Sequence, residues 1–377
     1  MSISRGNIRY YYLLLLVGLI LTSGCEQLDL GNVGGTDDDI SVIRAKHNGY
    51  YYMAFISDRG QPSVPPDPPP AKIWIARSPD GAFGAQTEYV QITSGTTSFD
   101  VYPTIVQTDD NCFHLTWSQL TSPTASRIYY THTCDVNGLI WNNPRITIGG
   151  PNFSDGQGPK PVADGNDLLL YATSANFDGS GYRRIYVLQG TRNFNWVQGL
   201  YWTWSEPAVI SSLVEAPKHD WFPAVAAING VYWMVFQRSG FDNAFGENPQ
   251  SGDDEFDVDV RFALSVDGLN WTHSGPVTQE PQTPHLWPAL NYAPTLNQWL
   301  ITLTSGVRNA SGGFDGIQVF LKLEDVMHYD ARAVDVTPII GPGWGMRMAP
   351  SPQGKTLSFW VNKPGPTILP QVFSGEF

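Results

Sequence analysis

Asp100, Asp220, His219 and His285 are the side chains of this sequence best placed to move protons. Each stands just before a residue–proline step that opens a short apolar run: Tyr102-Pro103, Phe222-Pro223 and Trp287-Pro288. Two carboxylates at a set separation are what glycoside hydrolysis needs. An imidazole that titrates near neutral pH can serve as the base of an elimination. The residues around them suit a sugar. Tyr102, Trp221 and Trp287 offer ring faces and Lys160 offers a cation, while Arg238, Arg308 and Arg347 can grip a carboxylate or sulfate through two parallel hydrogen bonds. Plainer roles stay open for all of them: rings packed between sheets, aspartates capping turns, hydrogen-bonded histidines and surface ion pairs.

The elements that must position these groups are short strands. The phrases Tyr102-Pro103-Thr104-Ile105, Lys160-Pro161-Val162-Ala163, Phe222-Pro223-Ala224-Val225 and Trp287-Pro288-Ala289-Leu290 recur at roughly 60-residue spacing, within the range of a propeller blade. In the second repeat 103–107, 113–117, 127–131 and 146–148 read as four strands broken by turn residues, and four short antiparallel strands make one blade. The pattern predicts an all-β chain with six blades, five being the alternative, over residues 40–377. The last unit shows only three strands, and a segment around 28–33 is expected to complete it.

In such a ring the first strand of every blade starts at the face that carries the central funnel, and the loops between second and third strands open on the same face. This topology selects the residues above, together with Trp344, Asp58, Arg59, Asp242 and Asp315. The proline-rich run 62–70 is expected at the rim. The acidic segment 252–259 could offer oxygens to calcium, but it lacks the spacing of a calcium loop and reads as a solvated strand edge; no cofactor or metal is otherwise expected.

Between third and fourth strands a turn recurs: Ser265-Val266-Asp267-Gly268-Leu269-Asn270-Trp271, Ser78-Pro79-Asp80-Gly81-Ala82-Phe83 and Cys134-Asp135-Val136-Asn137-Gly138-Leu139-Ile140-Trp141. Asp can bond the backbone N–H groups of such a turn, and Gly accepts a positive φ. These turns are similar to the Asp-box, or bacterial neuraminidase repeat, of sialidase-like β-propellers, a resemblance that spans most of residues 40–377. It implies the propeller fold and a structural role for Asp80, Asp135 and Asp267. Sialidases begin with a Phe-Arg-Ile-Pro phrase that carries a substrate-clamping arginine. The first repeat has none, which argues against sialidase activity itself.

Arg5 and Arg9 precede an apolar run over 10–21, and Thr22-Ser23-Gly24-Cys25 follows. This is the layout of an exported precursor, and it resembles a bacterial lipobox. Residues 1–24 would be removed, Cys25 lipidated and 25–39 left as a tether; Glu26 leans toward the outer membrane of the bacterial envelope. Removal takes away two arginines and no acid, so the net charge of −13 becomes −15, which opposes nucleic-acid binding. A hairpin centred near residue 123 places Cys112 opposite Cys134, and a structural disulfide is expected in an oxidising compartment. Two functions fit: a lipid-anchored propeller that recognises envelope or extracellular glycans and cleaves them as a hydrolase or lyase, or a non-catalytic lipoprotein that binds a glycan or an envelope protein.

Overall fold

The computed structural model describes residues 37–57, 71–122 apart from 82, 84 and 95–98, 125–241 apart from 142–144, 197–198 and 229, and 258–308 apart from 279–284 and 294–297, followed by strands at 314–322, 334–335, 344–350, 356–362 and 371–376. Residues 1–36, with Cys25 and the segment 28–33, lie outside the described residues, as do Asp58, Arg59, 62–70, Asp242 and 252–257. So do the side chains of Arg308, Asp315, Trp344 and Arg347.

The described strands form six antiparallel sheets. The first holds β1 (Asp37–Arg44), β2 (Tyr51–Ser57), β3 (Lys72–Ser78) and β4 (Glu88–Gln91); the second holds β5 (Phe99–Gln107), β6 (Phe113–Ser122), β7 (Ala125–Thr133) and β8 (Ile146–Ile148). The third holds β9 (Gln157–Asp164), β10 (Asp167–Ser174), β11 (Arg184–Asn195), β12 (Gly199–Trp204) and β13 (Ala208–Val209). The fourth holds β14 (His219–Ile228), β15 (Val231–Ser239), β16 (Val258–Ser265) and β17 (Trp271–Pro276). The fifth holds β18 (His285–Ala293), β19 (Gln298–Arg308), β20 (Phe314–Lys322) and β21 (Val334–Asp335), and the sixth β22 (Trp344–Pro350), β23 (Thr356–Asn362) and β24 (Gln371–Glu376). The first strands stand side by side in chain order, β1 to β5 to β9 to β14 to β18 to β22, and β22 lies against β1. The neighbour relation therefore closes on itself.

Neighbouring sheets bury one another's faces. Tyr52, Ala54, Ile73 and Ile75 of the first sheet pack on Ile105, Phe113, Leu115 and Trp117 of the second. Leu169, Tyr171 and Ile185 of the third meet Tyr232, Met234 and Trp271 of the fourth. Val235 and Val260 meet Ile301 and Leu303 in the same way.

Each first strand carries a bulge. In β5, β14 and β18 the register slips between Val101 and Thr104, Trp221 and Ala224, and Leu286 and Ala289. The extra residues are Tyr102-Pro103, Phe222-Pro223 and Trp287-Pro288, and the aromatic residue has φ of 55°, 45° and 49° in turn. In β9 the slip falls between Gln157 and Lys160, which makes Gly158-Pro159, with φ 59° at Gly158, the counterpart of these pairs. The sequence phrase that begins at Lys160-Pro161 is thus displaced by two residues. Lys160 sits one step further along, level with Thr104, Ala224 and Ala289.

The turns between third and fourth strands share parts of one plan: an indole donates to the glycine carbonyl in two of them, and a serine hydroxyl donates to the aspartate in two. Asp267 Oδ1 accepts from the N–H groups of Leu269 and Asn270 at 2.8 and 2.7 Å, Ser265 Oγ accepts from Gly268 N at 2.9 Å, and the Trp271 indole donates to Gly268 O at 3.0 Å. These donors hold the Asp267 carboxyl well below the usual carboxylate range. Asp135 accepts from Leu139 N at 3.0 Å, and Trp141 donates to Gly138 O at 2.8 Å. Ser78 Oγ donates to Asp80 at 2.7 Å.

Cys112 and Cys134 are joined, with Cα atoms 4.1 Å apart, because the β6–β7 pairing sets Phe113 against Thr133 and the next pair outward is the two cysteines. The bond closes a loop of sequence separation 22. Replacing both by alanine is expected to lower unfolding free energy by about 3–3.5 kcal/mol, the chain-entropy scale for a loop of that length. Urea denaturation of both forms, with and without reductant, measures it.

Candidate functional site

Asp100, Asp220 and His285 each stand two residues before the left-handed residue of their strand, and the structure buries all three. Asp220 accepts from Arg238 Nε at 2.7 Å, as the pairing of β14 with β15 dictates by placing the two residues opposite each other. The Arg238 guanidinium, itself buried, also donates to Glu215 Oε2 at 2.6 Å and to the Leu213 carbonyl. Burial pushes the Asp220 carboxyl up to about 6 although Arg238 and Arg184 pull the other way. His219 accepts from the Arg183 N–H at Nδ1, 3.1 Å away. Arg183 in turn lies 4.0 Å over the Trp221 ring and 3.9 Å from the Asp155 carboxylate.

Asp100 repeats part of this plan. Gln119, opposite it on β6, donates to one carboxylate oxygen at 2.9 Å; the other is buried without a hydrogen bond among the described residues. Lys72, buried at the start of β3 in the preceding sheet, has its pKa lowered by burial, with the Asp100 charge opposing. Arg184, at the start of β11, acts likewise on Asp220 of the next sheet. A basic residue opening a third strand thus faces an acid opening the next first strand, a juxtaposition between sheets that spacing along the chain does not reveal.

His285 is pushed down to about 4 by burial, and burial lowers His114 and His132 as well. Groups depressed on folding contribute stability above their unfolded pKa and lose it as pH falls through the folded one. Acidification from pH 7 to pH 4 is therefore expected to remove roughly 3 kcal/mol through His285 alone, at about 1.4 kcal/mol for each tenfold change in proton affinity. A flatter pH profile of unfolding free energy in His285→Gln checks it.

The rings at the bulges approach one another. Tyr102 and Phe222 meet edge to face at 5.4 Å although they belong to the second and fourth sheets. The third sheet lets them meet because its own bulge residue is Gly158, where a Cβ would lie 3.2 Å from the Phe222 ring. Lys160 Nζ donates to Thr104 Oγ1 at 3.2 Å, and the Trp287 N–H donates to Gln237 Oε1 at 2.6 Å, tying the fifth sheet to the fourth.

The structure thus joins Asp220 to Arg238, sets His219 and Trp221 around Arg183, links Lys160 to the second sheet and brings Tyr102 to Phe222. Phe222, Gly158, Arg183, Asp155, Lys72, Arg184 and Glu215 are additions to the expected set. Gly158-Pro159 was the one readable signal among them, a second X–Pro step two residues before the one that the repeat first suggests. Among the described residues no group of three or more His, Cys, Asp and Glu side chains could hold a metal ion. An arginine-locked carboxylate and left-handed rings make a rigid binding surface more readily than a proton shuttle.

No protein-family model and no curated protein matches the sequence. Solved structures do match in shape. A protein of unknown function from Dyadobacter fermentans is 14% identical, with a TM-score of 0.61 over 92% of this chain and 96% of its own. The GH93 α-L-arabinofuranosidase of Fusarium graminearum, solved with arabinobiose, is 15% identical, with a TM-score of 0.61 over 93% and 97%. A Hadza microbial sialidase is 12% identical, with a TM-score of 0.54 over 91% of this chain and 66% of its own. At such identities the likeness is one of fold, and the fold is that of the β-propeller glycosidases.

Proposed function

We propose that this chain is an exported, lipid-anchored, six-bladed β-propeller that binds glycans at the end of its central channel where the first strands begin. One observation carries the reading: Tyr102, Phe222 and Trp287 are all held at positive φ at the same bulge of three sheets. A bulky residue in that region costs energy, and such strain gathers at ligand sites. Rings presented this way, beside Lys160 and Thr104, suit the apolar faces and hydroxyls of a sugar. The likeness to an arabinofuranosidase bound to arabinobiose supports a carbohydrate, and the closed order of first strands supports six blades. The turns around Asp80, Asp135 and Asp267 are read as Asp-boxes with a structural role.

Cleavage is the further step of the same reading. Asp100, with an oxygen that makes no hydrogen bond among the described residues, is the less tightly paired carboxylate, and Asp220, His219 and His285 are the remaining candidates. The Asp220–Arg238 pair favours the second reading, a propeller that binds without catalysis.

The test is a glycan array and a reducing-end release screen on soluble residues 26–377, with arabino-oligosaccharides, sialosides and uronate-containing glycans included. Trp287→Ala is expected to weaken binding about tenfold, the scale of 1–1.5 kcal/mol for an aromatic contact, with melting temperature retained, and Tyr102→Ala to weaken it as much while lowering the melting temperature through the lost contact with Phe222. No retained glycan sinks the reading. Release of reducing ends that Asp100→Asn abolishes makes it an enzyme. Cys25→Ser is expected to free the protein from membranes.

A further inference from the structure

The third sheet carries a hairpin that the other sheets lack among the described residues. β11 pairs with β10 as far as Gly190 and then runs five residues further, to Asn195, paired with β12. At about 3.3 Å per residue this extension is on the order of 17 Å long. Register puts Arg192 against Trp202, Phe194 against Leu200 and Gly190 against Trp204, so one face of the hairpin carries the rings and the leucine.

At its base that face is covered by the second sheet. Trp202 meets the rings of His114 and His132 at 4.5 and 4.8 Å, His132 Nε2 is bonded to the Leu200 carbonyl at 2.9 Å, and Trp204 lies against Tyr130 at 5.1 Å. Arg192 pairs with Asp110 at 2.8 Å. The face then continues past its cover. Phe194 is 58% exposed and Trp196 is 92% exposed, their rings edge to face at 5.2 Å.

We infer that Phe194 and Trp196 form a second glycan-contact site, remote from the channel mouth, that stacks on a neutral polysaccharide. The inference rests on the proposal that the chain binds glycans. Three features select the occupant. Residues 193–205 contain no charged side chain in a chain of net charge −13, so the surface suits an uncharged ligand and not a nucleic acid. Two partly covered rings offer on the order of 300 Å², taking 150–250 Å² as the area of one aromatic side chain. A specific protein interface needs roughly 800 Å² from each partner, whereas a sugar ring fills one indole face. Strand direction gives the third: β11 reaches its tip at the end of the sheet opposite to that where β1, β5, β9 and β14 begin. A long chain could touch both ends, and a short oligosaccharide could not.

Co-sedimentation with insoluble arabinan, xylan and β-glucan, alongside titration with arabinotriose, xylotriose and cellotriose, tests the site. Phe194→Ala/Trp196→Ala is expected to weaken polysaccharide binding at least tenfold and to leave trisaccharide binding and melting temperature unchanged, with Trp196→Phe restoring part of the loss. Polysaccharide binding that Tyr102→Ala weakens and the hairpin variant leaves intact overturns this inference alone. Binding of no glycan by the wild type overturns it together with the reading on which it rests. Loss of binding to phosphatidylcholine vesicles in the hairpin variant, with glycan binding unchanged, makes the tip a lipid contact and overturns it too.

Discussion

Arg238→Ala is expected to lower the unfolding free energy by about 3–5 kcal/mol, because it strips a buried carboxylate of its partner. The Arg238 side chain is 1% exposed and Asp220 2%, so water cannot replace the lost cation. The same change frees Glu215, whose half-exposed carboxylate is readily solvated, and leaves the Leu213 carbonyl without its donor. Asp220 also gives the loss a pH signature. Its folded pKa of about 6 already lies above the ordinary 3.8, so its contribution is full below the unfolded value and is lost as pH rises through the folded one. Without Arg238 the carboxyl rises further. The deficit of the variant should therefore be largest above neutral pH and shrink toward pH 5. Urea denaturation at pH 5 and pH 8 measures both figures. A deficit below about 1 kcal/mol, together with weakened glycan binding, would instead make Arg238 a ligand-gripping residue.

Gly268→Ala is expected to cost about 2–5 kcal/mol, the sum of left-handed strain and overpacking. Gly268 has φ of 71°, and a Cβ there would lie 2.3 Å from Leu169 and 2.9 Å from the Tyr171 hydroxyl, both on the third sheet. The Tyr171 hydroxyl donates to the Gly268 carbonyl at 2.7 Å, so the turn is a fastening between sheets as well as a turn. Gly230→Ala, also at positive φ but with nothing within 4 Å, isolates the strain. Equal losses at the two positions would remove packing from the explanation.

The fold was legible because its signals are local. Alternating runs, turn residues and the proline-marked period depend on neighbours a few positions apart, and hairpin register follows from loop length, which is why Cys112 could be set against Cys134. The third repeat misled because it offers two X–Pro steps, Gly158-Pro159 and Lys160-Pro161, and the ring-less one takes the bulge. The extra hairpin was hidden for a related reason: β11 and β12 look like the ordinary last two strands of a unit, and only the short β13 shows that a strand had been added. Asp100 and Asp220 stand at strand starts, but the basic residues Lys72 and Arg184 whose charges act on them from another sheet belong to the preceding sheets. A contact of that kind depends on how two sheets dock and leaves no period in the sequence.

The meeting of Tyr102 with Phe222 has a mechanical meaning. Where each sheet touches only the sheets on either side, a disturbance in one travels round the circumference and weakens at every interface. A contact over Gly158 is instead a chord of the circle, joining the second and fourth sheets directly. The arc between them is thereby braced against opening or closing.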